Sequence, residues 1–499
     1  MVTWLDFQLS TPLLDALLDN KKKATVPFYT PGHKRGRGTS ERISNLLGER
    51  VFQFDLPDLP GLSLFASEGA IATAQKLAAE AFGADRTWFL VNGSTCGVMA
   101  AMMATCAPGD KIILPRNIHK SAIAGLILSG AHPVFVMPEY DPLLDLSHSV
   151  TPDAIAQALA QHPDAKAVMV VYPTYHGVCG DIESIATYVH QYNIPLLVDE
   201  AHGAHFAFHR GLPTPALAAG ADLVVQSTHK TLSAMTQASM LHLQGSRVDP
   251  KRVNKTLQLL QSTSPSNLLL ASLDAARQQM AMQGEVLMEH TIKLAQTARS
   301  RLEQIPDLSL LKPEQAITPG FHALDPTRLT VTVSRLGIDG FTADEIFDQT
   351  LGVTAELPTW QHLTFIITLG NTQEDIDRLV GAFEGLSKEF RKEDRIHNTI
   401  LSFHSPIPVC QSPCLSPRDA FFSPTETVSI EDGIDRISAE TICPYPPGIP
   451  TLLPGEKITA DAIAFLQKVL AVGGFISGCA DESLQTLQVI SDKGIGSRE

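Results

Sequence analysis

Short apolar runs that alternate with helical segments constrain the fold of this chain more than any other feature. Between residues 66 and 245, helical periodicity marks segments such as 71–82 and 184–192. Six apolar runs separated by such segments are predicted strands: 87–91, 111–114, 133–136, 167–171, 195–198 and 222–225. Strands that alternate with helices form parallel βαβ units. The sequence therefore predicts an α/β domain with a mostly parallel sheet.

The pattern changes along the 499 residues in a way that predicts three regions. Residues 1–60 are an N-terminal arm with a short helix near 12–20, and residues 61–305 are the large α/β domain. Residues 306–499 mix strands with helices and form a smaller C-terminal α+β domain. Its segment 402–424 is rich in Ser, Pro and Cys and is expected to be an irregular linker.

Three further helices are predicted toward the C-terminal side of the large domain and beyond it. Residues 268–282 and 284–305 have the composition of long helices that lead out of the large domain. Residues 429–440 are predicted to form a helix, whereas the proline-rich run 444–450 cannot.

Charge and cysteine usage narrow the classes of function. The formal net charge is −15, which argues against a nucleic acid as partner because polyanion binding relies on Lys and Arg. An acidic surface would suit a cationic substrate. Seven scattered cysteines without paired CxxC motifs are unlike a disulfide framework or a zinc site, so a reducing cytoplasm is expected. Because no signal peptide and no 18-residue apolar stretch is found, no membrane segment is expected.

Ligands in such sheets bind beyond the carboxyl ends of the strands, so the residues that follow each predicted strand are the candidates for ligand contact. The turn after strand 87–91 contains Gly93, Ser94 and Thr95 and opens a predicted helix at 98–105. Backbone N–H groups at a helix start, together with the two hydroxyls, could hold a phosphate. A simple helix cap is the alternative explanation of this turn.

Two further strand ends carry an acid and a lysine. Asp199 follows the apolar run 195–198, where a carboxylate could keep a protonated pyridine ring cationic; a helix cap or a metal ligand is the alternative. Lys230 follows strand 222–225 in the run Ser-Thr-His-Lys. Burial there would depress the pKa of the lysine and make it a nucleophile toward an aldehyde, although most lysines are solvated surface groups.

Histidines near these strand ends allow several roles. His119 follows strand 111–114 and could stack on a flat ring, or it could be structural. His202, His205 and His209 raise the question of a metal, but their spacing matches no helix-borne metal site and no metal is expected. The Pro- and Gly-rich run 30–36 is either a functional loop or part of an arm that packs on a neighbouring chain.

Seven motifs follow one another in order along the chain. They are Thr30-Pro-Gly-His-Lys, Leu59-Pro-Gly-Leu, Asn92-Gly-Ser-Thr, Asp199-Glu-Ala-His-Gly, Ser227-Thr-His-Lys, Thr263-Ser-Pro-Ser with Ala271-Ser-Leu-Asp, and Pro444-Tyr-Pro-Pro-Gly-Ile-Pro with Pro454-Gly-Glu. Together they resemble the motifs of the Orn/Lys/Arg decarboxylase family, within the fold-type I pyridoxal-phosphate (PLP) enzymes. The last motif is a marker of this family rather than of PLP enzymes in general. The chain resembles a short-form member of the family.

The resemblance implies a cofactor site. Lys230 would hold PLP as a Schiff base, Asp199 would pair with the pyridinium nitrogen, and His119 would stack on the ring. His202 would lie close to the ring or the substrate. The phosphate would be bound by a set of small and polar residues: Gly93, Ser94, Thr95, Ser227 and His229.

The resemblance also implies a basic amino acid as substrate and polyamine formation as the pathway. Glu456 and Asp58 are the predicted acids for the distal cation; where the family often has acids after Leu-Pro-Gly-Leu, this chain has Ser63. Arginine is the favoured substrate because the short form resembles arginine decarboxylases, with lysine or ornithine as alternatives. A cytoplasmic homodimer or larger homo-oligomer with shared active sites is expected.

Two rival functions remain open at the level of sequence. A transaminase would need an arginine for the α-carboxylate in the small domain, and Arg328 and Arg335 are available. A non-catalytic PLP-binding regulatory or assembly protein is the rival from another class. All the expected catalytic positions are filled, and no DNA-binding segment is found, which disfavours the second rival.

Overall fold

The structure is a computed structural model that describes residues 7–22, 25–56, 63–390, 413–445, 449–471 and 473–491. The chain divides into two compact units. The first comprises Met1–Ala104 and Val198–Glu289, and the second comprises Thr105–Leu197 and His290–Glu499. The 36-residue helix Asn267–Leu302 continues from the first unit into the second.

The α-helices of the described residues are, in chain order, α1 (Pro12–Lys22), α2 (Glu41–Leu47), α3 (Ala70–Phe82), α4 (Gly93–Thr105), α5 (Lys120–Ser129), α6 (Pro152–Gln161), α7 (Ile182–Gln191), α8 (Thr228–Thr231), α9 (Pro250–Leu260), α10 (Asn267–Leu302), α11 (Gly340–Ile346), α12 (Gln373–Phe390), α13 (Pro417–Phe421) and α14 (Ala460–Ala471).

The strands of the same residues are β1 (Arg86–Leu90), β2 (Lys111–Pro115), β3 (His132–Val136), β4 (Tyr140–Asp141), β5 (Leu146–Ser147), β6 (Ala167–Val171), β7 (Val178–Cys179), β8 (Leu196–Asp199), β9 (Leu223–Gln226), β10 (Ser239–Leu243), β11 (Ser309–Leu310), β12 (Ala323–Leu324), β13 (Arg328–Thr332), β14 (Leu357–Pro358), β15 (His362–Ile366), β16 (Thr425–Ser429), β17 (Cys443–Tyr445), β18 (Phe475–Ser477) and β19 (Thr486–Ile490).

Strands β1, β10 and β9 lie side by side in the first unit. Strand β10 pairs antiparallel with β1, with Thr87 opposite His242, and antiparallel with β9, with Met240 opposite Gln226. Helix α3 packs on β1 through a buried apolar face that includes Phe82. All four residues of β9 are buried, and the short helix α8 begins two residues after this strand ends.

The second unit contains the parallel strands and two smaller layers. Strand β2 pairs in parallel with both β3 and β6, and its last four residues are buried. Strands β11, β13, β15 and β14 form an antiparallel sheet that shares an apolar core with α12. Nearer the C-terminus, β16 pairs with β19, β17 pairs with β18, and α14 packs into a separate apolar core.

The predicted α/β class, with a mostly parallel central sheet and a smaller C-terminal domain, is confirmed. Each of the six predicted strands is present, displaced by no more than one residue. Strand β10 was not predicted, and it is an antiparallel exception within the parallel pattern.

The prediction of two helices at 268–282 and 284–305 is wrong, because α10 is continuous through Gly284. A single glycine inside a helix costs only about 1 kcal/mol relative to alanine, which packing easily offsets. The predicted helix at 429–440 is also wrong: β16 ends at Ser429, and Asp435 has a φ of +67°, outside the right-handed helical region. Isoleucines at 430, 434 and 437 imitate helical spacing there.

Two predicted irregular segments fall partly outside the described residues. Residues 402–412 and 446–448 lie there, whereas 413–424 contains the short helix α13, capped by Ser416. Among the helices of the described residues, none combines the length and the hydropathy needed to cross a membrane.

Candidate active site

The carboxyl ends of β8 and β9 lie side by side in the first unit. The N–H of Glu200, directly after β8, donates to the carbonyl of Val225 in β9 at 2.9 Å. Asp199 is the last residue of β8, and Ser227 follows β9 and begins the turn that carries Lys230. The structure therefore brings the predicted acid and the predicted lysine to adjacent strand ends.

Lys230 contacts an imidazole at this edge of the sheet. Its Nζ lies 3.0 Å from Nε2 of His202, and the lysine is half-buried while the histidine is buried. An ammonium group can only donate, so a charged Lys230 requires Nε2 of His202 to accept. The pair can pass a proton between Nζ and Nε2. His202 is thus in contact with Lys230 Nζ, and its place near the ring or the substrate stays a prediction.

The Asp199 carboxylate is buried at the end of β8, with 5% of the residue exposed. Its Oδ1 accepts the N–H of Ala201 at 3.2 Å. A buried carboxylate is stable only beside hydrogen-bond donors or a positive charge, which is the environment that a protonated ring nitrogen would complete.

Two hydroxyl-bearing turns meet beside these strand ends. Helix α4 begins at Gly93, five residues earlier than predicted, so Ser94 and Thr95 lie in its first turn. The Ser227 hydroxyl donates to Ser94 Oγ at 2.8 Å. The first N–H groups of a helix have no partner within the helix and attract anions. This turn is the arrangement expected of a phosphate cradle.

Gln237 supports the same turn and was missed from the sequence. Its Nε2 donates to the carbonyl of Val91 at 2.6 Å, and its φ is +85°, which is rare for a residue with a side chain. Strained residues of this kind concentrate at functional sites. Its sequence context, a polar loop before a strand that was itself not predicted, contains no signal for this role.

His229 is oriented by its own loop. Its Nδ1 donates to the carbonyl of Ala238 at 3.0 Å. Burial lowers the pKa of His229, and the neighbouring Lys230 lowers it further. The ring is therefore held neutral, with its single proton on Nδ1 and none on Nε2.

His119 belongs to the second unit, where it caps α5. Its Nδ1 accepts the backbone N–H of Ser121 at 3.2 Å and lies 2.8 Å from the Ser121 hydroxyl. An accepting Nδ1 places the ring proton on Nε2 and fixes the plane of the ring. The role of His119 in stacking on the cofactor stays a prediction.

Glu456 belongs to a buried ion pair. We predicted that it binds the distal cation of the substrate, but it is completely buried and both its oxygens accept from the guanidinium of Arg116. The backbone N–H of Leu453 also donates to it. A substrate cation would have to displace Arg116 from Glu456, and the assignment of Glu456 to the substrate stays a prediction. Asp58 lies outside the described residues.

Other predicted groups have partners elsewhere. Among the residues that the structure describes, no group of three His, Cys, Asp or Glu side chains is arranged to hold a metal ion. His209 pairs with Glu289 at 3.0 Å.

In the run 30–36, His33 donates from Nε2 to Asp55 at 3.1 Å and accepts the N–H of Gly36 on Nδ1 at 3.0 Å. That loop is ordered by its own contacts, which leaves both explanations of it open.

The fold defines the class of this protein, the fold-type I enzymes. Solved structures of the same fold include the lysine decarboxylase of Francisella novicida, with a TM-score of 0.84 and 23% identity over 97% of this chain and 82% of that chain. The chain belongs to the Orn/Lys/Arg decarboxylase family: the family's major domain matches residues 11–375 and its C-terminal domain matches residues 403–482.

Relatives within the family differ in their identity to this chain and in the share of their own length that matches it. The arginine decarboxylase of Bacillus subtilis is 40% identical over 487 residues, covering 97% of this chain and 99% of the relative. The lysine decarboxylase LdcA of Pseudomonas aeruginosa is 26% identical, covering 90% of this chain and 74% of the relative. The match to the Bacillus subtilis arginine decarboxylase covers nearly the full length of both chains, and the family predicted from the motifs is confirmed.

Proposed function

We propose that this protein decarboxylates arginine to agmatine and CO₂, with PLP held on Lys230. The observation that carries the proposal is the Lys230–His202 contact beside Asp199, in a chain 40% identical over nearly its whole length to an arginine decarboxylase. The reaction consumes one proton, because the carboxylate that leaves Cα as CO₂ is replaced there by hydrogen.

The described residues fit the cofactor. Lys230 would hold it covalently, Asp199 would pair with the ring nitrogen, and His119 would stack on the ring. Its phosphate would be held by the N–H groups and hydroxyls of the cradle residues Gly93, Ser94, Thr95 and Ser227. His229, the fifth residue predicted for the phosphate, could donate to it only with a second ring proton on Nε2, because the Nδ1 proton is given to the carbonyl of Ala238. The observation behind this fit is the start of α4 with the Ser94–Ser227 hydroxyl contact beside the lysine turn. When bound, PLP supplies an electron sink for the bond broken at Cα.

The protein's own part is to place charge and protons. His202 holds or receives a proton at Nε2, 3.0 Å from Lys230 Nζ, so the lysine can be neutral when it acts as a nucleophile and charged when it returns a proton. The neutral, oriented His229 adds no competing charge beside Lys230. Asp199 places a buried carboxyl group at the strand end, where it can face a cationic ring nitrogen.

Lysine and ornithine are the alternative substrates, since the more distant relatives include a lysine decarboxylase. Arginine, lysine and ornithine differ only in the length and shape of a cationic arm, which placed acids distinguish. The proposal extends to a cytoplasmic homodimer or larger homo-oligomer that shares active sites and takes part in polyamine formation. A PLP-binding protein without turnover remains the alternative of another class.

The decisive experiment measures CO₂ release by the PLP-loaded protein with arginine, lysine and ornithine in parallel. We expect release from arginine, and release at background level in Lys230→Ala. Lys255→Ala, an exposed lysine on α9, is the matched control and should retain wild-type release. Release from lysine or ornithine instead would change the substrate. No release from any of the three, with cofactor absorbance intact, would favour the non-catalytic protein.

A further inference from the structure

A chain of buried polar side chains crosses the sheet of the first unit and ends at the candidate site. Thr87 Oγ1 lies 2.8 Å from His242 Nδ1, and His242 Nε2 lies 3.0 Å from Gln226 Oε1. Gln226 Nε2 donates to Glu200 Oε2 at 2.7 Å. None of these residues is more than 3% exposed. The chain thus joins β1, β10 and β9 to the residue directly after Asp199.

The hydrogen-bond direction in this chain follows from its ends. Gln226 donates its Nε2–H to Glu200, so its Oε1 accepts the Nε2–H of His242. Nδ1 of His242 then accepts the hydroxyl of Thr87. Burial lowers the pKa of His242 to about 3, so the ring is neutral and carries the single proton that this arrangement needs. Each contact from Thr87 to Glu200 thus has one donor and one acceptor.

Glu200 ties together the two strand ends of the candidate site. Its other oxygen, Oε1, accepts the N–H of Ala216 at 2.8 Å, and its own N–H donates to Val225 in β9 at 2.9 Å. A Cβ at Gly203 would lie 2.8 Å from Cγ of Glu200, so the turn after Asp199 closes tightly around this side chain. Glutamate is rarely buried completely, and an apolar residue could fill the same volume without a partner.

The hydrogen-bonded side chains from Thr87 to Glu200 end beside the candidate site, which indicates a role beyond stabilising the sheet. Glu200 is bonded to Asp199 in sequence, and Gln226 is bonded to Ser227, which begins the turn of Lys230. The Glu200–Gln226 hydrogen bond therefore connects the segment that contains Asp199 with the segment that leads into Lys230. We propose that Glu200 is a positioning residue that, through Gln226, fixes Asp199 relative to Lys230. This inference rests on the proposed function, because it assigns a purpose to that geometry.

The test compares Glu200→Met with Glu200→Gln. Methionine removes both acceptor oxygens and leaves the donors of Ala216 and Gln226 without a partner. We expect kcat to fall about 10- to 100-fold, as misplacement of reacting groups by a fraction of an ångström does, with KM within about threefold of wild type. The visible absorbance of the bound cofactor should change as well, because Asp199 faces the ring from a different position.

Glu200→Gln is the matched control. The new amide can accept from Ala216 and donate to a flipped Gln226 amide, which then donates to His242 in its other tautomer. The chain reverses direction and keeps its internal hydrogen bonds. We therefore expect Glu200→Gln to retain kcat within about threefold and the wild-type cofactor absorbance.

Two further variants keep the proposal testable if Glu200→Met does not fold. Gln226→Met breaks the same connection from the other side, and its kcat loss should not multiply with that of Glu200→Met in the double variant, because both remove one link. Thr87→Val changes only a hydroxyl at the far end of the chain and should lower kcat by less, with KM unchanged.

The readouts separate failure of this inference from failure of the proposed function. Wild-type protein without CO₂ release would sink the proposed function, and the absorbance of the bound cofactor would then decide the inference alone. Variants that unfold at lower temperature but keep wild-type kcat, KM and absorbance would overturn the positioning role and leave a purely structural chain.

Discussion

The buried carboxyl of Glu200 has an unusual affinity for its proton. Burial raises the pKa of Glu200 to about 8 from its ordinary 4.5, although hydrogen bonds from Gln226 and the Ala216 N–H lower it. Removal from water disfavours the charged form more than two neutral donors can favour it. Near neutral pH this residue therefore holds its proton in the folded protein and loses it in the unfolded chain.

This difference predicts a pH-dependent stability. As pH rises from about 4.5 to about 8, the unfolded chain gains a carboxylate that the folded protein does not form, so wild type loses up to about 1.4 kcal/mol of unfolding free energy per pH unit from this group. Above about 8 both states are charged and the loss levels off. Glu200→Gln has no such group, so its stability relative to wild type should increase across this range.

Unfolding by urea at intervals between pH 5 and pH 9 measures the effect. Glu285→Gln changes an exposed glutamate on α10 and should track wild type at every pH. A constant difference between Glu200→Gln and wild type over the whole range would show that Glu200 is charged throughout, contrary to the prediction.

The sequence predicted the residues that follow parallel strands better than the residues that support them. Asp199 and Lys230 were predicted to lie near each other because strand ends at one edge of a sheet lie close together, and the structure has them after adjacent strands. Their roles toward a cofactor stay predictions. Glu200 gave no comparable signal, because an acid after an acid resembles a solvated turn. Its burial depends on the distant loop that brings Ala216 over it, which local sequence does not specify.

At the scale of elements, Gly284 allows α10 to pass close to Phe208. A Cβ at this position would lie 3.0 Å from Cβ of Phe208, closer than side chains normally pack. Phe208 in turn packs edge-to-face on Phe82 of α3, with ring centroids 5.0 Å apart. The glycine thus serves packing and does not divide the helix.

We expect Gly284→Val to destabilise the protein by about 2 to 3 kcal/mol, because the added γ carbons overpack the space occupied by Phe208. Gly284→Ala should change stability by less than about 1 kcal/mol, because the gain in helix propensity offsets the crowding. Urea unfolding measures both. Val286→Ala, an exposed position on the same helix, is the control. If Gly284→Val in a Phe208→Ala background remained as costly, crowding against Phe208 would not be the cause.

Element prediction was accurate where one property decided the outcome. Buried strands are marked by apolar runs, so six were placed within a residue. Strand β10 was missed because its sequence, Ser-Met-Leu-His-Leu, includes two polar residues, of which His242 is buried between partners on the neighbouring strands β1 and β9. The helix predicted at 429–440 failed because β16 is stabilised by pairing with β19, nearly 60 residues away.

At the scale of the whole molecule, a buried ion pair joins residues 340 positions apart in the second unit. Arg116, directly after β2, donates through both terminal nitrogens to Glu456 and through Nη2 to the carbonyl of Thr451 at 2.9 Å. Its guanidinium also lies over the ring of Phe135, 4.8 Å from the centroid. The segment that contains Thr451 and Glu456 is thereby anchored to Arg116, which precedes His119 by three residues in the sequence.

The last prediction separates this anchoring role from substrate binding. Glu456→Met leaves the Arg116 guanidinium buried without its counter-charge and should cost about 3 to 5 kcal/mol of unfolding free energy. Replacing both partners, in Arg116→Met with Glu456→Met, removes the uncompensated charge and should recover at least half of that loss. Lys457→Ala, which breaks the neighbouring exposed pair with Asp435, should have no measurable effect on stability.

The KM for the substrate in the double variant decides the role of Glu456. If the ion pair only anchors the C-terminal segment, the folded double variant should bind arginine with a KM within about threefold of wild type, because no contact with the distal cation is lost. A KM raised about tenfold or more, with the fold intact and kcat little changed, would show that Glu456 does meet the substrate's cation. Arg116 would then have to exchange its partner during binding, and the buried pair would be the resting state of the substrate site.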